Sequence, residues 1–276
     1  MVDSRHIKLI AIDLDGTLLD SNHEIRPRTL KSLKQLLAQG IQILIATGKT
    51  HFSAVDVKKQ LGIQTWGVFS QGLTIQNPQD EIIYEQHLPD EISTRAVNLL
   101  NNADVPFVIY RNDGLYNIQE SAFDQFLIEH HEPRPQVQHS KENLLQHLPF
   151  QKVLINGPQD FLQEFKQQLI GEFGESAHFV FSVETVLEVV PAGSSKGNGV
   201  AKAIELLGFT ADEVMAFGDG DNDIEMLAMM GVGVAMGNGT SAAKAAADYV
   251  TLANDDDGIV HALYHFGILN EAKETL

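Results

Sequence analysis

Strand and helix signals alternate at both ends of this chain, and that alternation constrains the fold more than any other feature. Short apolar runs predict strands at 7–12, 41–45, 66–69, 214–217, 232–235 and 249–251. Helix signals separate them, such as the one that begins at Pro27 and carries leucines at helical spacing. Because such alternation builds parallel sheets covered by helices, we predict an α/β fold with one Rossmann-like parallel sheet formed from both ends of the chain.

The middle of the chain, residues 82–188, has a different pattern of strand and helix signals. Its strand signals are longer and more aromatic, and a hairpin is predicted within residues 105–118. Helix signals interrupt these strands without alternating with them regularly. We therefore predict an inserted α+β domain with a mostly antiparallel sheet at 82–188, flanked by core segments at 1–81 and 189–276.

Charge and cysteine content exclude several classes of protein. The 276 residues include 37 acidic side chains against 19 Lys and Arg, a formal net charge of −18, so the chain on average repels nucleic acid and anionic lipid. The absence of cysteine excludes a disulfide framework, a thiolate zinc site and a cysteine nucleophile. No apolar run reaches the roughly 18 residues of a membrane span. We expect a soluble, cytoplasmic monomer or homodimer without nucleic-acid or membrane partners.

The first predicted strand ends in two aspartates, within the motif Asp13-Leu14-Asp15-Gly16-Thr17. Ligands of open α/β sheets gather at the carboxyl ends of strands, and carboxylates two residues apart on an extended segment can face the same side. Such a pair can hold a hard cation, or divide the roles of nucleophile and proton donor. An ordinary Asp-Gly turn explains the motif equally well.

A denser acidic motif, Gly218-Asp219-Gly220-Asp221-Asn222-Asp223, follows the predicted strand at 214–217. Charges packed this closely destabilise a fold unless a cation neutralises them. Capping of the following helix explains Asn222 or Asp221 but hardly the whole group, and we assign Asp221 to a solvated turn. An EF-hand loop starting at Asp219 is excluded, because its sixth and twelfth positions would be Ile224 and Met230.

Two smaller signals lie at other element ends. Thr47 and Gly48 end the second predicted strand, where a hydroxyl and free amides can bind phosphate oxygens. Lys196 opens the helix after the insertion and can add a positive charge to an anion site. Each residue taken alone is more simply an exposed polar side chain. The segment Gly193–Lys196 lacks the spaced glycines of a P-loop, and Gly231, Gly233 and Gly237 do not have the spacing of a dinucleotide-binding fingerprint.

Taken together, these four sites resemble the motifs of the haloacid dehalogenase-like phosphohydrolases. The Asp13 and Asp15 pair looks like the first motif of that family, Thr47 the second, Lys196 the third, and the segment 218–223 the fourth. Their order and strand-end positions match, and the resemblance spans the whole chain. The insertion is similar to the α+β (C2-type) cap of the Cof-type subgroup.

The resemblance implies a Mg²⁺-dependent phosphatase that acts on a small phosphate ester through an aspartyl-phosphate. Asp13 would be the nucleophile, and Asp15 would protonate the leaving group and then activate water. Neighbouring carboxylates and partial burial would help Asp15 to hold that proton. Mg²⁺ would bind Asp13, Asp219 and the main-chain carbonyl of Asp15, and Asp223 would complete or orient this metal site.

The resemblance also assigns the phosphate contacts, to Thr47, Gly48, Lys196 and Asn222. Two positions depart from the family pattern. Lys49 stands where such enzymes often carry Arg, which keeps the charge but loses the bidentate fork. The tripeptide Gln71-Gly72-Leu73 replaces a common Asn-Gly-Ala, which leaves a substrate contact there unassigned.

The sequence does not determine which phosphate ester is the substrate; sugar phosphates, pyridoxal phosphate and flavin mononucleotide are among the candidates. Polar residues at 111–113, in the predicted hairpin turn, are candidates for substrate contacts. A phosphomutase on the same scaffold is an alternative, as is a metabolite-binding protein without turnover. Histidines at 130, 131 and 139 lack a metal-ligand spacing and are expected at the surface.

Overall fold

The computed structural model of the chain describes residues 6–269. The chain forms two compact units, one built from the segments up to Tyr84 and from Ser195 onward, the other from Glu85–Ser194. The predicted insertion at 82–188 starts and ends slightly earlier than the second unit. At its start, the strand Ile82–Glu85 belongs to the core sheet, and at its end, the strand Val186–Pro191 of the inserted sheet continues past residue 188. The role of the inserted unit as a cap stays a prediction.

The described residues contain the following strands and helices. The strands are β1 (Leu9–Ile12), β2 (Gln42–Ala46), β3 (Trp66–Phe69), β4 (Thr74–Gln76), β5 (Ile82–Glu85), β6 (Phe107–Arg111), β7 (Gly114–Asn117), β8 (Gln136–Val137), β9 (Lys152–Asn156), β10 (Ala177–Val183), β11 (Val186–Pro191), β12 (Val214–Gly218), β13 (Val232–Ala235) and β14 (Tyr249–Val250). The helices are α1 (Pro27–Ala38), α2 (Val55–Leu61), α3 (Asp90–Ala103), α4 (Ala122–Glu129), α5 (Lys141–Leu145), α6 (Gln159–Phe173), α7 (Lys196–Leu207), α8 (Ile224–Met229), α9 (Ser241–Ala246) and α10 (Gly258–His265).

The core unit is built on an eight-stranded sheet in the order β14-β13-β12-β1-β2-β3-β4-β5. Neighbouring strands from β14 to β3 are parallel, which confirms the predicted α/β fold class. The sheet also continues past β3 into the antiparallel strand β4, which is not among the predicted strands. At three residues, β4 is too short for a period of two to be visible.

Strand β1 lies in the middle of the sheet, and all four of its residues are buried. Its side chains alternate between two apolar clusters: Ile10 and Ile12 pack in one that also contains Leu33 of α1, and Leu9 and Ala11 pack in one that contains Val200 of α7. Burial on both faces explains the uninterrupted apolar run in the sequence. It also fixes the position of the residue that follows the strand, Asp13.

The inserted unit contains a six-stranded sheet in the order β10-β11-β9-β6-β7-β8. Its pairs are antiparallel except for β7 with β8, as the hairpin signals predict. The turn between β6 and β7 is held by Arg111, whose guanidinium donates to the Asp113 carboxylate at 2.8 and 3.1 Å and also to the carbonyl of His147. Arg111 and Asp113 therefore stabilise the turn, and their proposed contact with substrate stays untested.

None of the helices within residues 6–269 combines the length and apolar character that crossing a membrane requires.

Candidate active site

Asp13 follows β1 directly and continues its hydrogen-bond ladder, since its amide donates to the Phe217 carbonyl on β12 at 3.0 Å. The chain then winds through a tight turn over Leu14–Leu18. Gly16 in this turn has a φ of +74°, and a Cβ atom there would lie 2.3 Å from Asp219 Oδ2. Glycine is required here both for the left-handed backbone and for the close approach of that carboxylate.

The loop after β12 folds around the carboxylate of its own last residue, Asp223. Its Oδ2 atom accepts hydrogen bonds from the amides of Asp219 and Gly220, both at 2.9 Å. The Asp223 side chain is fully buried, whereas Asp219 is partly exposed and accepts a hydrogen bond from the Thr17 hydroxyl at 3.1 Å. This arrangement presents Asp219 beside Asp13, at the carboxyl ends of two adjacent parallel strands.

Lys196, the first residue of α7, joins these two motifs. Its ammonium donates to Asp13 Oδ1 at 2.7 Å and to Asp223 Oδ1 at 2.5 Å, and its side chain is 1% exposed. The helix start is capped by Ser195, whose hydroxyl accepts from the Asn198 amide at 3.1 Å. A buried ammonium held in this way fixes the Asp13 carboxylate in position.

Burial has the largest effect on the pKa values of the aspartates in this cluster. It raises the pKa of Asp13 to about 8, with Asp223 and Asp219 adding to the effect and Lys196 opposing it. Burial also raises the pKa of Asp219. For Lys196, burial acts against the charged form, but attraction to Asp13 and Asp223 outweighs it, so the pKa of this ammonium is raised. Three carboxylates against one ammonium leave the fully ionised cluster with an excess of negative charge.

This excess charge makes the cluster suitable for a cation. Carboxylate oxygens of Asp13, Asp219 and Asp223 all lie within 4.8 Å of one another, close enough to share one metal ion. Hard divalent cations such as Mg²⁺ prefer oxygen ligands of this kind. The fourth predicted metal residue, Asp15, is not part of this carboxylate group, which agrees with a contribution through its main-chain carbonyl.

The surroundings of the Asp15 side chain differ from the expected ones. The side chain is 41% exposed, and its Oδ1 atom accepts a hydrogen bond from the Lys49 ammonium at 2.8 Å and lies 3.9 Å from His23 Nδ1. The expected carboxylate neighbours are replaced by a cation, because the turn after Asp13 points this side chain toward the loop after β2. Lys49 therefore occupies a place next to the predicted proton donor.

The predicted phosphate contacts lie on three separate loops of the core unit. Thr47 is buried, and its hydroxyl accepts a hydrogen bond from the Lys49 amide at 3.2 Å. Gly48 packs against the Gln71 side chain, and Asn222 donates to Gln71 Oε1 at 3.4 Å. Since β2 and β12 flank β1 in the sheet, these residues share its carboxyl edge with Asp13.

The structure also places Asn238 at the site. In the sequence, Asn238 stands out only as the first residue of a tripeptide that matches a glycosylation signal. Its amide donates to the Gly16 carbonyl at 2.8 Å and approaches Asp219 Oδ2 at 3.5 Å. Its position just after β13, the next parallel strand, is the signal that could have identified it. Thr240 also supports this loop, through its hydroxyl on Asp221 at 2.7 Å, which agrees with a turn role for Asp221.

The model of one protein family, described as haloacid dehalogenase-like hydrolases, matches residues 10–263. The chain belongs to this family. The match covers both segments of the core and the whole insertion, and it includes every predicted site residue.

Named relatives agree with this membership. A protein named HMP-PP phosphatase in Serratia proteamaculans is 30% identical over 94% of this chain and 95% of its own length. The chloroplastic endoribonuclease YBEY of Arabidopsis thaliana is 32% identical over 93% of this chain, but this chain spans only 46% of that protein.

Solved structures extend the agreement to the whole fold. A haloacid dehalogenase-like hydrolase from Bacteroides thetaiotaomicron superposes with a TM-score of 0.84 at 30% identity, covering 94% of this chain and 99% of that one. A sugar phosphatase of subclass IIB superposes with a TM-score of 0.79 at 26% identity, covering 95% of this chain and 100% of that one. The predicted family, its Cof-type subgroup and the enzyme class, a phosphoric monoester hydrolase, are confirmed.

Proposed function

We propose that this haloacid dehalogenase-like hydrolase removes the phosphate from a small phosphorylated metabolite with Mg²⁺, through an aspartyl-phosphate on Asp13. The observation that carries the proposal is the buried cluster in which Lys196 bridges Asp13 and Asp223 beside Asp219. A protein that only binds metabolites has no use for a nucleophile held by an ammonium next to a second aspartate. Sugar phosphates, pyridoxal phosphate and flavin mononucleotide are the candidate substrates.

The donor set fits a magnesium ion. Asp13 and Asp219 contribute buried or half-buried carboxylates whose raised pKa values reflect unfavourable burial of negative charge. We propose that these two carboxylates and the Asp15 carbonyl hold the ion. Both Asp223 oxygens are engaged, by Lys196 and by two amides, which favours an indirect role through the position of Asp219. When bound, Mg²⁺ would supply positive charge that offsets the repulsion between a carboxylate and a phosphate dianion.

In the first step, an Asp13 oxygen attacks phosphorus, and the bond from phosphorus to the leaving oxygen breaks. Lys196 keeps the Asp13 side chain in one orientation, so little reorganisation is needed. The leaving oxygen takes a proton from Asp15. The Lys49 contact holds the Asp15 side chain at 2.8 Å, and we propose that it rearranges when substrate binds.

In the second step, Asp15 accepts a proton from a water molecule whose oxygen attacks the phosphorus of the aspartyl-phosphate. The bond from phosphorus to the Asp13 oxygen breaks, inorganic phosphate leaves, and both carboxyl groups return to their initial states. Thr47, Gly48, Lys196 and Asn222 would hold the phosphoryl oxygens through both steps.

The substrate class rests on the relatives. One is named an HMP-PP phosphatase and a structural neighbour is a sugar phosphatase, both of which act on small phosphorylated molecules. We propose the same class here and assign selectivity to the inserted unit as a cap. The expected cytoplasmic location, the monomeric or homodimeric state and the absence of a nucleic-acid partner stay predictions.

Phosphate release tests the proposal. The purified protein is incubated with a panel of phosphate esters, including p-nitrophenyl phosphate, with Mg²⁺ or with EDTA. We expect Mg²⁺-dependent release of inorganic phosphate, and an Asp13→Asn variant that still folds and unfolds cooperatively but loses at least about a thousandfold in kcat. Isomerisation of a sugar phosphate without phosphate release would instead identify a phosphomutase.

A further inference from the structure

The turn between β3 and β4 carries an unusual backbone. Ser70, Gln71 and Gly72 have φ values of 52°, 57° and 94°, so three consecutive residues lie in the left-handed region. Only Gly72 adopts this conformation without steric penalty. Strain of this kind persists where surrounding contacts impose it, and it often occurs at functional sites.

The contacts that impose this conformation come from the candidate active site. The Ser70 amide donates to the Lys49 carbonyl at 2.8 Å, and the Gln71 amide donates to the Thr47 carbonyl at 3.3 Å. On the other side, a Cβ atom on Gly72 would lie 2.3 Å from the Ser195 carbonyl oxygen, directly before Lys196. The turn is therefore clamped between the loop after β2 and the start of α7.

The Gln71 side chain extends into the same region. A Cβ atom on Gly48 would lie 2.6 Å from Gln71 Nε2, so the carboxamide covers this glycine closely. Its Oε1 atom accepts from Asn222 at 3.4 Å. Among the contacts of residues 6–269, Gln71 Nε2 donates to no protein atom, although the side chain is only partly exposed.

We infer that Gln71 is a substrate-binding residue, whose Nε2 donates a hydrogen bond to an oxygen of the phosphoryl group held between Gly48 and Asn222. The inference deepens the proposed function and rests on it. A side chain that served only to stabilise the turn would use its donor within the protein, and a glycine would adopt the backbone without strain. The observed residue instead keeps a free amide donor between two proposed phosphate contacts.

Binding of inorganic phosphate, measured by calorimetry with Mg²⁺ present, tests the inference without requiring turnover. A hydrogen bond to a charged phosphate oxygen predicts that Gln71→Ala weakens phosphate binding about ten- to hundredfold. Gln71→Gly should weaken it equally, because this variant also lacks the amide but relieves the backbone strain. The exposed Gln64→Ala is the matched control and should bind like the wild type.

Two results would overturn the inference: unchanged phosphate affinity in Gln71→Ala, or normal affinity in Gln71→Gly with a loss in Gln71→Ala, which would assign the effect to the backbone. Melting curves of both variants check folding, and Gln71→Gly is expected to fold because it removes strain. A wild type that binds phosphate through Gln71 yet releases none from any ester would contradict the proposed function alone. A wild type that hydrolyses esters while Gln71→Ala binds phosphate normally would contradict this inference alone.

Discussion

At the scale of single residues, the site depends on one buried cation. Lys196 is surrounded by carboxylates in a region where an unpaired charge would be strongly unfavourable, and its two hydrogen bonds satisfy Asp13 and Asp223 together. Removing Lys196 would cost more than its two hydrogen bonds, because the buried carboxylates would lose their shared partner. The contacts therefore hold the proposed nucleophile, Asp13, in one position, and they concentrate negative charge around it.

That concentration of charge predicts how stability depends on pH when metal is absent. Burial raises the pKa of Asp13 to about 8 from an ordinary value of 3.8, so between these pH values the folded chain retains a proton that the unfolded chain has released. The contribution of Asp13 to stability must then fall as pH rises through this window. The side chain introduced by Asp13→Asn has no titratable proton, so the variant lacks this dependence on pH.

We therefore expect the melting temperature of Asp13→Asn in EDTA to exceed that of the wild type by a margin that grows from pH 5 to 8 and then levels off. Differential scanning fluorimetry at matched ionic strength measures the margin. Groups outside the aspartate cluster titrate alike in both proteins and cancel in the comparison, so a margin independent of pH would contradict the raised pKa of Asp13.

The sequence predicts part of the site and misses another part for a physical reason. Asp13, Asp219 and Lys196 could be expected to meet, because they follow or precede elements whose ends share one edge of a parallel sheet. The partner of Asp15 could not, since the direction of its side chain depends on the turn around Gly16. The contacts of Asn238 with Gly16 and of Gln71 with Asn222 could not be predicted either, because they depend on loop conformations that carry no periodic pattern.

At the scale of elements, the approach of α7 to the turn after β3 positions Lys196. Gly199 in the first turns of this helix lies against Gly72, and a Cβ atom on Gly199 would stand 2.4 Å from the Gly72 Cα and 2.7 Å from Val68 Cγ1. Two glycines allow the backbones to touch. The start of α7 and the loop after β3 therefore form one packed unit.

Gly199→Ala is expected to force this helix away from the turn. Overpacking should lower the unfolding free energy by about 1–3 kcal/mol, and displacement of Lys196 should reduce kcat/KM. The matched control is Gly171→Ala in α6, where an added Cβ meets nothing within 4 Å and helix propensity should instead increase stability. Chemical denaturation and steady-state kinetics of both variants check this; equal effects would argue against the contact.

The strands and helices of the core could be predicted where their buried apolar residues recur at a regular spacing in the sequence. Strand β1 gives a clear apolar run because both of its faces are buried. Helix α7 ends at Leu207 and is capped by Gly208 in the left-handed conformation, for which glycine is a recognisable sequence signal. Strands β4 and β5 were not predicted as part of the core sheet. Ile82 and Ile83 of β5 are 38% and 41% exposed, so this strand lacks the burial pattern that identifies its neighbours.

At the scale of the whole molecule, the net charge of −18 adds to the local excess at the site. Both favour uptake of a divalent cation over its loss. We expect Mg²⁺ to raise the melting temperature, since an ion at a hundred times its Kd adds about 2.7 kcal/mol to stability, and we expect EDTA to reverse the shift.

The response should be lost in Asp219→Asn, which removes one proposed ligand. Exposed Asp56 offers the matched control, because Asp56→Asn changes the net charge equally, and within residues 6–269 the Asp56 carboxylate pairs only with Lys59 on the same helix. Fluorimetric titration with MgCl₂ distinguishes the two variants. An equal Mg²⁺ response in both would place the ion elsewhere.

The chain leaves the core unit at the end of the edge strand β5 and returns one residue before Lys196, whereas the proposed nucleophile follows the central strand β1. Recombination at these two junctions would exchange the entire inserted segment while every hydrogen bond of β1, β2 and β12 is retained. Under the proposed cap role, exchanging the insertion would change the substrate range and leave the proposed reactive centre intact. Chimeras with the insertions of related hydrolases would test that role through altered selectivity.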